Sequence, residues 1–192
     1  MKNILLIGAG GHAKSCIDVI EKQKKYKIIG LIDKNKSAKN LFKYPIIDEN
    51  IDINILYRKC KNILIAVGQI KSPSIRIKLF KKYKKFGFNF PTIISPLAHV
   101  SKYSSISEGT IIMHHAMVNA SCKIGISCII NSKALIEHDV EIGNFCHIST
   151  STILNGNVKV GNKIFIGSNS TISNSIKIKD NVIIPAMSFI NK

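Results

Sequence analysis

Several features that often direct a functional interpretation are scarce in this sequence of 192 residues. It has no tryptophan, and only two of its 28 basic residues, Arg58 and Arg76, are arginine. No run of about 18 apolar residues exists that could cross a membrane. The apolar N-terminal stretch is interrupted by Gly8, too early for a secretory signal. We therefore expect a cytoplasmic protein with no membrane partner.

The five cysteines suggest neither a disulfide framework nor a metal site. Their number is odd, and no two of them form a Cys-x-x-Cys pair: Cys16, Cys60, Cys122, Cys128 and Cys146. Disulfide frameworks and cysteine zinc sites need paired, regularly spaced thiols. We expect no bound metal ion and no cysteine with a chemical role.

The net charge of +17 resembles that of a nucleic-acid-binding protein, but the residue type argues against this function. Arginine is favoured for bidentate contacts to phosphates and bases, and here nearly all basic residues are lysine. The charge remains suited to attracting polyanionic small molecules such as nucleotide sugars or coenzyme A. With 45% hydrophobic and 20% charged residues, the composition is that of an ordinary globular protein.

A period of six residues dominates the second half of the chain. Every sixth residue from Val100 to Ile190 is aliphatic, sixteen times without interruption. The residue four places after each of them is small or β-branched. The residue directly after each aliphatic residue is often glycine, asparagine or serine. This period fits neither a helix nor a simple strand alternation.

A period of six is typical of a parallel β-helix with three flat faces, in which one aliphatic side chain per face points inward. Eighteen residues complete one coil, and about five coils stack at strand spacing. We expect the small residues at the corners, and we expect the glycine or asparagine to accommodate the turn backbone. Cys122, Cys128 and Cys146 then become small packing residues. A β-sandwich with accidental spacing is the alternative.

The first 95 residues show a different pattern, in which apolar strands alternate with helical segments. Residues 3–7, 28–32 and 63–67 are predicted strands. Helical spacing follows the first, and Ser72-Pro73 begins a helix that carries Ile75, Leu79, Phe80 and Tyr83. This order predicts a mostly parallel sheet. We divide the chain into an α/β domain (1–95) and a β-helical domain (96–192).

A glycine-rich turn follows the first strand. Gly8-x-Gly10-x-x-Ala13, with Asp33 twenty residues after Ala13, matches a dinucleotide fingerprint. Glycines let backbone amides approach a phosphate at a helix N-terminus, and the acid can bind a ribose hydroxyl. The segment has room for only one mononucleotide half, which favours a nucleotide such as UDP. NAD binding and a purely structural turn remain alternatives.

This combination resembles the bacterial sugar acetyltransferases, which join a Rossmann-like domain to a left-handed hexapeptide β-helix. The resemblance rests on Gly8–Lys14, Leu31–Asp33, Asn131–Ser149 and Leu154-Asn155-Gly156. The family includes enzymes that N-acetylate UDP-4-amino-sugars on the bacillosamine and legionaminic routes, and sialic-acid O-acetyltransferases. It implies an α/β plus all-β protein, active as a homotrimer with its sites between neighbouring β-helices.

The resemblance also implies the catalytic residues. His138 corresponds to the general base and, lying two places after the inward Ile136, is expected to point outward. Asp139 stands where many family members carry a glutamate that raises the basicity of the histidine. Glu137 is the alternative carboxylate that could orient His138. Gly156 corresponds to the glycine whose N–H faces the thioester carbonyl.

The remaining site residues are also assigned from the resemblance. The substrate-binding residues are Gly10, Gly11, His12, Asp33, Gly68 and Asn131. The residues that bind acetyl-CoA are His147, Gly167 and Ser168. Many relatives continue beyond the last coil with a Gly-x-Pro-Ala segment that lines the CoA site, whereas this chain stops at Lys192.

The predicted function is acetyl transfer from acetyl-CoA to the amine of a nucleotide-linked amino sugar in bacterial surface glycan biosynthesis. One alternative keeps the fold and acetylates a hydroxyl of sialic acid or a related sugar. A β-helical metalloenzyme is disfavoured, because His114, His138 and His147 are spaced out of register with the coil. A non-catalytic nucleotide-sugar-binding trimer and an NAD-dependent oxidoreductase are the other interpretations.

Overall fold

The computed structural model of the chain describes residues 1–34 and 38–192, which form two compact units. The first comprises Met1–Gly68 and Ser74–Pro91, and the second comprises Gln69–Pro73 and Thr92–Lys192. In the described part of the chain, no helix is long and apolar enough to span a membrane.

The first unit is an α/β sheet domain. Its strands are β1 (Lys2–Ile7), β2 (Tyr26–Asp33), β3 (Asn40–Leu41), β4 (Tyr44–Asp48) and β5 (Ile63–Ile65), and its helices are α1 (Gly11–Gln23), α2 (Ile53–Lys59) and α3 (Ser74–Lys85). The sheet order is β3-β4-β2-β1-β5, and among the described strands only the β3–β4 pair is antiparallel. The predicted parallel sheet is confirmed.

The sequence patterns missed two short elements of this unit. The strand pair β3–β4 and the seven-residue helix α2 are too short to show a clear hydrophobic period. Helix α2 starts at a local signal instead: the side chain of Asp52 accepts a hydrogen bond from the N–H of Asn54.

Helix α3 packs differently from the prediction. Phe80 and Tyr83 are buried as expected, but Ile75 is 61% exposed and Arg76 is only 1% exposed. The guanidinium Nη1 of Arg76 donates hydrogen bonds to the carbonyls of Ile65 (3.0 Å) and Val67 (2.6 Å). Arginine is therefore placed inside because it satisfies carbonyl groups where β5 ends.

The second unit is a left-handed parallel β-helix, as predicted. Its two-residue strands are β6 (Ile93–Ile94), β7 (His99–Val100), β8 (Ser105–Ile106), β9 (Ile111–Ile112), β10 (Met117–Val118), β11 (Lys123–Ile124), β12 (Ile129–Ile130), β13 (Leu135–Ile136), β14 (Glu141–Ile142), β15 (His147–Ile148), β16 (Ile153–Leu154), β17 (Lys159–Val160), β18 (Phe165–Ile166), β19 (Thr171–Ile172), β20 (Lys177–Ile178), β21 (Ile183–Ile184) and β22 (Phe189–Ile190).

Each strand from β6 to β19 pairs in parallel with the strand 18 residues further along the chain, so that three faces form. Face 1 contains β6, β9, β12, β15, β18 and β21. Face 2 contains β7, β10, β13, β16, β19 and β22, and face 3 contains β8, β11, β14, β17 and β20. The chain turns corners 1/2, 2/3 and 3/1 in that order.

From β7 to β22, the second residue of each strand belongs to the predicted aliphatic series and packs into one continuous core, which Ile94 of β6 also joins. Cys122, Cys128 and Cys146 are buried in that core as packing residues. Burial raises the pKa of the Cys122 thiol, and burial raises the pKa of Cys16 in the first unit to about 12.

The glycines that follow the aliphatic residues act differently from the prediction. The left-handed backbone occurs three places after the aliphatic residues from Ile106 to Ile184, and apart from Gly109 these positions are not glycine, as at Asp139 and Asn157. Gly125 and Gly143 have ordinary backbone angles, but a Cβ on Gly125 would lie 2.6 Å from the carbonyl of Gly143 in the next coil. Glycine is needed there for close coil stacking, not for the turn.

The outer surfaces of faces 2 and 3 have opposite character. On face 2 the outward residues are mainly apolar: Met117, Leu135, Ile153 and Phe189, with Phe189 65% exposed. On face 3 they form a charged column in which Glu141 contacts Lys123 (3.4 Å) and Lys159 (3.0 Å). A face of exposed apolar residues is typical of an interaction surface, whereas the charged column suits solvent.

Candidate functional site

Corner 2/3 of the β-helix presents His138 to solvent. The side chain is 60% exposed, as its distance of two residues from the inward Ile136 predicts. Nδ1 of His138 lies 2.8 Å from Oδ2 of Asp139. A carboxylate can only accept, so Nδ1 carries the proton and the lone pair of a neutral His138 lies on Nε2.

Asp139, rather than Glu137, is the carboxylate in contact with His138. Asp139 occupies the left-handed corner position, with φ of 61°. The Glu137 carboxylate accepts a hydrogen bond from Nδ2 of Asn119 at 2.9 Å. The backbone of the corner therefore directs Asp139 toward the imidazole, while Glu137 is held against the preceding coil.

Gly156 lies in the next coil, beneath the ring of His138. A Cβ at this position would be 2.7 Å from Cε1 and 2.8 Å from Nε2 of His138, so only glycine leaves the ring its place. Among the residues that the structure describes, no hydrogen bond from the N–H of Gly156 is found. The corner thus combines an imidazole lone pair with a backbone donor that remains available.

Corner 1/2 carries a second group, centred on His147. Its imidazole is buried, 7% exposed, and packs edge-on against Phe165 with ring centroids 5.3 Å apart. Nδ1 lies 2.5 Å from the backbone carbonyl oxygen of Gln69, and Nε2 lies 3.2 Å from Nδ2 of Asn131. The predicted pair Asn131 and His147 is therefore in direct contact.

Gly167 and Ser168 lie at the same corner, one coil beyond. The hydroxyls of Ser168 and Ser149 are 2.9 Å apart. A Cβ on Gly167 would come within 2.6 Å of the carbonyl carbon of Pro185 in the next coil. Close coil stacking therefore requires Gly167, and its neighbours give this corner a polar edge.

The predicted β-helix residues thus fall at two corners of one chain. His138, Asp139 and Gly156 follow strands of face 2, at corner 2/3. The predicted acetyl-CoA residues and Asn131 lie at or beside corner 1/2, at the opposite edge of face 2. Face 2, with its apolar outer surface, separates the two groups.

The predicted nucleotide residues lie where parallel strands of the first unit end. The Asp33 carboxylate accepts a hydrogen bond from the N–H of Ala9 at 2.7 Å and so holds the glycine-rich turn. A Cβ on Gly68 would lie 3.5 Å from Cβ of His12, which brings these two positions together. Carboxyl ends of parallel strands are the usual ligand-binding edge of such sheets.

The glycines of this turn differ in what requires them. Gly8 has φ of +107°, and a Cβ there would clash with Val67 at 2.7 Å, so the fold itself requires it. At Gly10 and Gly11 a Cβ would meet no atom of the described residues within 4 Å. Helix α1 starts there without a capping side chain and without an acidic residue in its first turn.

Comparison with known proteins finds similar proteins for both units. Residues 3–83 match the family described as the PglD N-terminal domain. The chain is 31% identical over 115 residues to UDP-N-acetylbacillosamine N-acetyltransferase of Bacillus subtilis, which is 59% of this chain and 52% of that enzyme. The match therefore spans about half the length of that curated relative.

Solved structures are similar over nearly the whole chain. Perosamine N-acetyltransferase from Caulobacter crescentus, solved as a histidine variant with CoA and GDP-perosamine, has a TM-score of 0.93 and 25% identity over 100% of this chain and 90% of that chain. The acetyltransferase domain of PglB from Neisseria gonorrhoeae, solved with acetyl coenzyme A, has a TM-score of 0.89 and 26% identity over 98% and 92% of the two chains.

Over both units, the chain is therefore similar to sugar N-acetyltransferases.

The sequence predicts no metal centre for this chain. The described residues, 1–34 and 38–192, contain no group of three or more His, Cys, Asp or Glu side chains able to hold a metal ion. His114 instead interacts with Ser95, whose Oγ lies 2.6 Å from Nδ1. The Ser95 hydroxyl also accepts from the N–H of Leu97, which leaves its own proton for the imidazole.

Sequence reasoning missed two residues of this site. Gln69 lies in a five-residue segment that belongs to the β-helical unit, and nothing in a period of six signals its contact with His147. Asn174 follows Gly156 by one coil, and its Nδ2 would lie 3.3 Å from a Cβ on that glycine. A search at intervals of 18 residues from His138 identifies both Gly156 and Asn174.

Proposed function

We propose that this protein is an acetyl-CoA-dependent N-acetyltransferase that acts on the amine of a nucleotide-linked amino sugar. The observation that carries the proposal is the placement of an exposed, carboxylate-paired His138 directly over Gly156, whose backbone N–H is available. Acyl transfer needs a base beside the nucleophile and a donor beside the developing oxyanion, and this corner supplies both.

The reaction is a direct transfer. Nε2 of His138 takes a proton from the sugar amine while the amine nitrogen attacks the thioester carbonyl carbon. The oxyanion of the tetrahedral intermediate accepts a hydrogen bond from the N–H of Gly156. The C–S bond then breaks, the proton on His138 passes to the departing sulfur, and the amide product forms. Asp139 holds Nδ1 throughout and stabilises the imidazolium.

The first unit is proposed to bind the nucleotide. The described residues give no packing reason for glycine at Gly10 and Gly11, because a Cβ at either position would meet none of their atoms within 4 Å. An uncapped helix start with small residues favours an anionic phosphate group. His12 and Gly68 lie beside this turn, and Asp33 keeps it in place. These contacts support a nucleoside diphosphate sugar as substrate.

The split of the β-helix residues over two corners supports a homotrimer. If face 2 of each chain faces a threefold axis, corner 2/3 of one chain meets corner 1/2 of the next. The apolar outer residues of face 2 are then buried, and the charged column of face 3 stays in solvent. Such an assembly places His138 of one chain beside Asn131 and His147 of its neighbour.

Acetyl-CoA is then proposed to lie along the shared edge, near His147, Gly167 and Ser168 of one chain and Gly156 of the next. We place the enzyme in the cytoplasm, where acetyl-CoA and nucleotide sugars are available and where the five buried cysteines stay reduced as thiols.

The test is an acetylation assay with UDP- and GDP-linked 4-amino sugars. The release of CoA measures the rate, and mass spectrometry identifies the product. We expect an increase of one acetyl group on the amine and a loss of about 10²-fold or more in kcat/KM for His138→Asn. The matched control is His115→Asn, since His115 is also an exposed corner histidine. Acetylation of a sugar hydroxyl instead, or equal rates in both variants, would contradict the proposal.

A further inference from the structure

The hydrogen bonds around His147 assign its tautomer without any assumption about function. The Gln69 carbonyl can only accept, so Nδ1 of His147 carries a proton. Oδ1 of Asn131 accepts from the N–H of Ser132 at 2.8 Å, so the Asn131 amide must point its NH₂ group at Nε2. Nε2 therefore accepts, and His147 is neutral with its proton on Nδ1.

Gln69 is held for this contact by its own side chain. Its Nε2 donates to the carbonyls of Phe145 (2.9 Å) and Ile164 (3.3 Å), which belong to two successive coils. Gln69 is 3% exposed, so water does not substitute for these bonds. The side chain of Gln69 thus fixes the position of its own backbone carbonyl, which accepts the hydrogen bond from Nδ1 of His147.

The same side chain is poorly suited to a role in stability alone. Its Oε1 is buried and has no hydrogen-bond partner among the residues that the structure describes. A buried acceptor without a partner is costly, and an apolar residue of similar shape avoids that cost. Gln69 is thus an amide residue whose Nε2 is hydrogen-bonded and whose Oε1 is not.

We propose that Gln69 is a positioning residue of the acetyltransferase site. It fixes the proton of His147 on Nδ1, which leaves Nε2 to hold the Asn131 amide in one orientation. Asn131 is then presented with one NH₂ proton bound to His147 and the other free to face a ligand. The inference rests on the proposed function only for the role of Asn131 toward substrate, because the hydrogen-bond chain itself does not depend on it.

The experiment compares wild type with Gln69→Met, a substitution of similar size that removes both donors. Long-range ¹H–¹⁵N spectra of histidine-labelled protein report the tautomer, and His147 is assigned by its absence in His147→Phe. In wild type we expect the Nδ1–H tautomer. In Gln69→Met we expect a mixture with the Nε2–H form and a loss of roughly 10- to 100-fold in kcat/KM, since a misplaced group is costly to the transition state.

Two controls separate positioning from folding. Gln69→Met should keep a melting temperature within about 4 °C of wild type, because it also removes the unsatisfied Oε1. Asn162→Ala removes a side-chain amide at corner 3/1, where Oδ1 of Asn162 accepts a hydrogen bond from the N–H of Asn144. This variant should leave both the His147 tautomer and kcat/KM unchanged. Gln69→Glu, which sets an acceptor against two carbonyls, should shift the tautomer as Gln69→Met does.

The proposal is overturned if wild-type His147 carries its proton on Nε2, or if Gln69→Met changes neither tautomer nor rate. It is also overturned if Asn162→Ala changes them equally. Failure of the proposed function is recognised separately: wild type then acetylates no nucleotide sugar, while the tautomer spectra still decide whether Gln69 fixes His147.

Discussion

Replacing Gly156 by alanine tests the arrangement of the candidate active site directly. The added Cβ would lie 2.7 Å from Cε1 of His138. Carbon atoms in contact prefer separations of about 3.5–4.0 Å, so the ring must move by about 1 Å. A displacement of this size costs about 10²-fold in rate, which corresponds to about 2.7 kcal/mol in the activation free energy.

The stability of Gly156→Ala should change little. The clashing atoms belong to an exposed side chain that can rotate away, and Gly156 does not have the positive φ that penalises alanine. We therefore expect kcat/KM for the amino sugar to fall about 100-fold, with a melting temperature within about 4 °C of wild type. Steady-state kinetics and thermal unfolding of the same preparation measure both quantities.

Gly143→Ala is the matched control with the opposite expectation. Its Cβ would lie 2.6 Å from the carbonyl oxygen of Gly161, which is backbone and cannot rotate away. Overpacking of this kind costs about 1–3 kcal/mol, or a fall of roughly 2–12 °C in the melting temperature of a chain this size. The reasoning is refuted if Gly156→Ala keeps more than about a third of the activity, or if its melting temperature falls as far as that of Gly143→Ala.

Other parts of the fold lead to three further expectations. Leu135→Asp, on the apolar outer surface of face 2, should reduce the assembly from three chains to one of 21.2 kDa in light scattering, whereas Lys177→Asp on face 3 should leave it intact. Because the pKa of Cys16 is about 12, roughly one thiol in 10⁴ is ionised at pH 8, and all five cysteines are buried. A disulfide reagent should therefore label none in the native protein and five after denaturation; a fast-reacting native thiol contradicts this. The hydrogen bond from Lys159 lowers the pKa of Glu141 below its usual 4.5, so its stabilising contribution is complete above that pH and is lost as the pH falls through the folded-state pKa. The difference in melting temperature between wild type and Glu141→Gln should accordingly be constant at neutral pH and shrink in acid; a difference that grows in acid has the wrong sign.

The β-helix could be predicted from sequence because its fold repeats. Every aliphatic residue from Val100 to Ile190 occupies the same kind of position, so the pattern is reinforced many times. The same repetition predicts that His138 points out of the coil, because it fixes Ile136 as an inward residue. The role of the glycines was misjudged, because a glycine that allows close stacking and one that allows a turn look identical in sequence.

The first unit was less completely predictable. Its long strands and helix α1 show clear hydrophobic patterns, and these were confirmed. Arg76 was not expected inside, because its burial depends on two carbonyls that come together only when β5 and α3 pack. Gln69 was missed for the same reason: its partners, Phe145 and His147, lie more than 70 residues away in the chain.

The sequence by itself determined the period of six, the parallel sheet of the first unit and the exposure of His138, because these depend on local spacing of apolar residues. Only the tertiary structure decided that Asp139 contacts His138, that Gly156 lies beneath the ring and that the Gln69 carbonyl accepts a hydrogen bond from His147. The first contact depends on the left-handed backbone of the folded corner, and the other two join atoms 18 and 78 residues apart in the chain, which meet only once the coils are stacked.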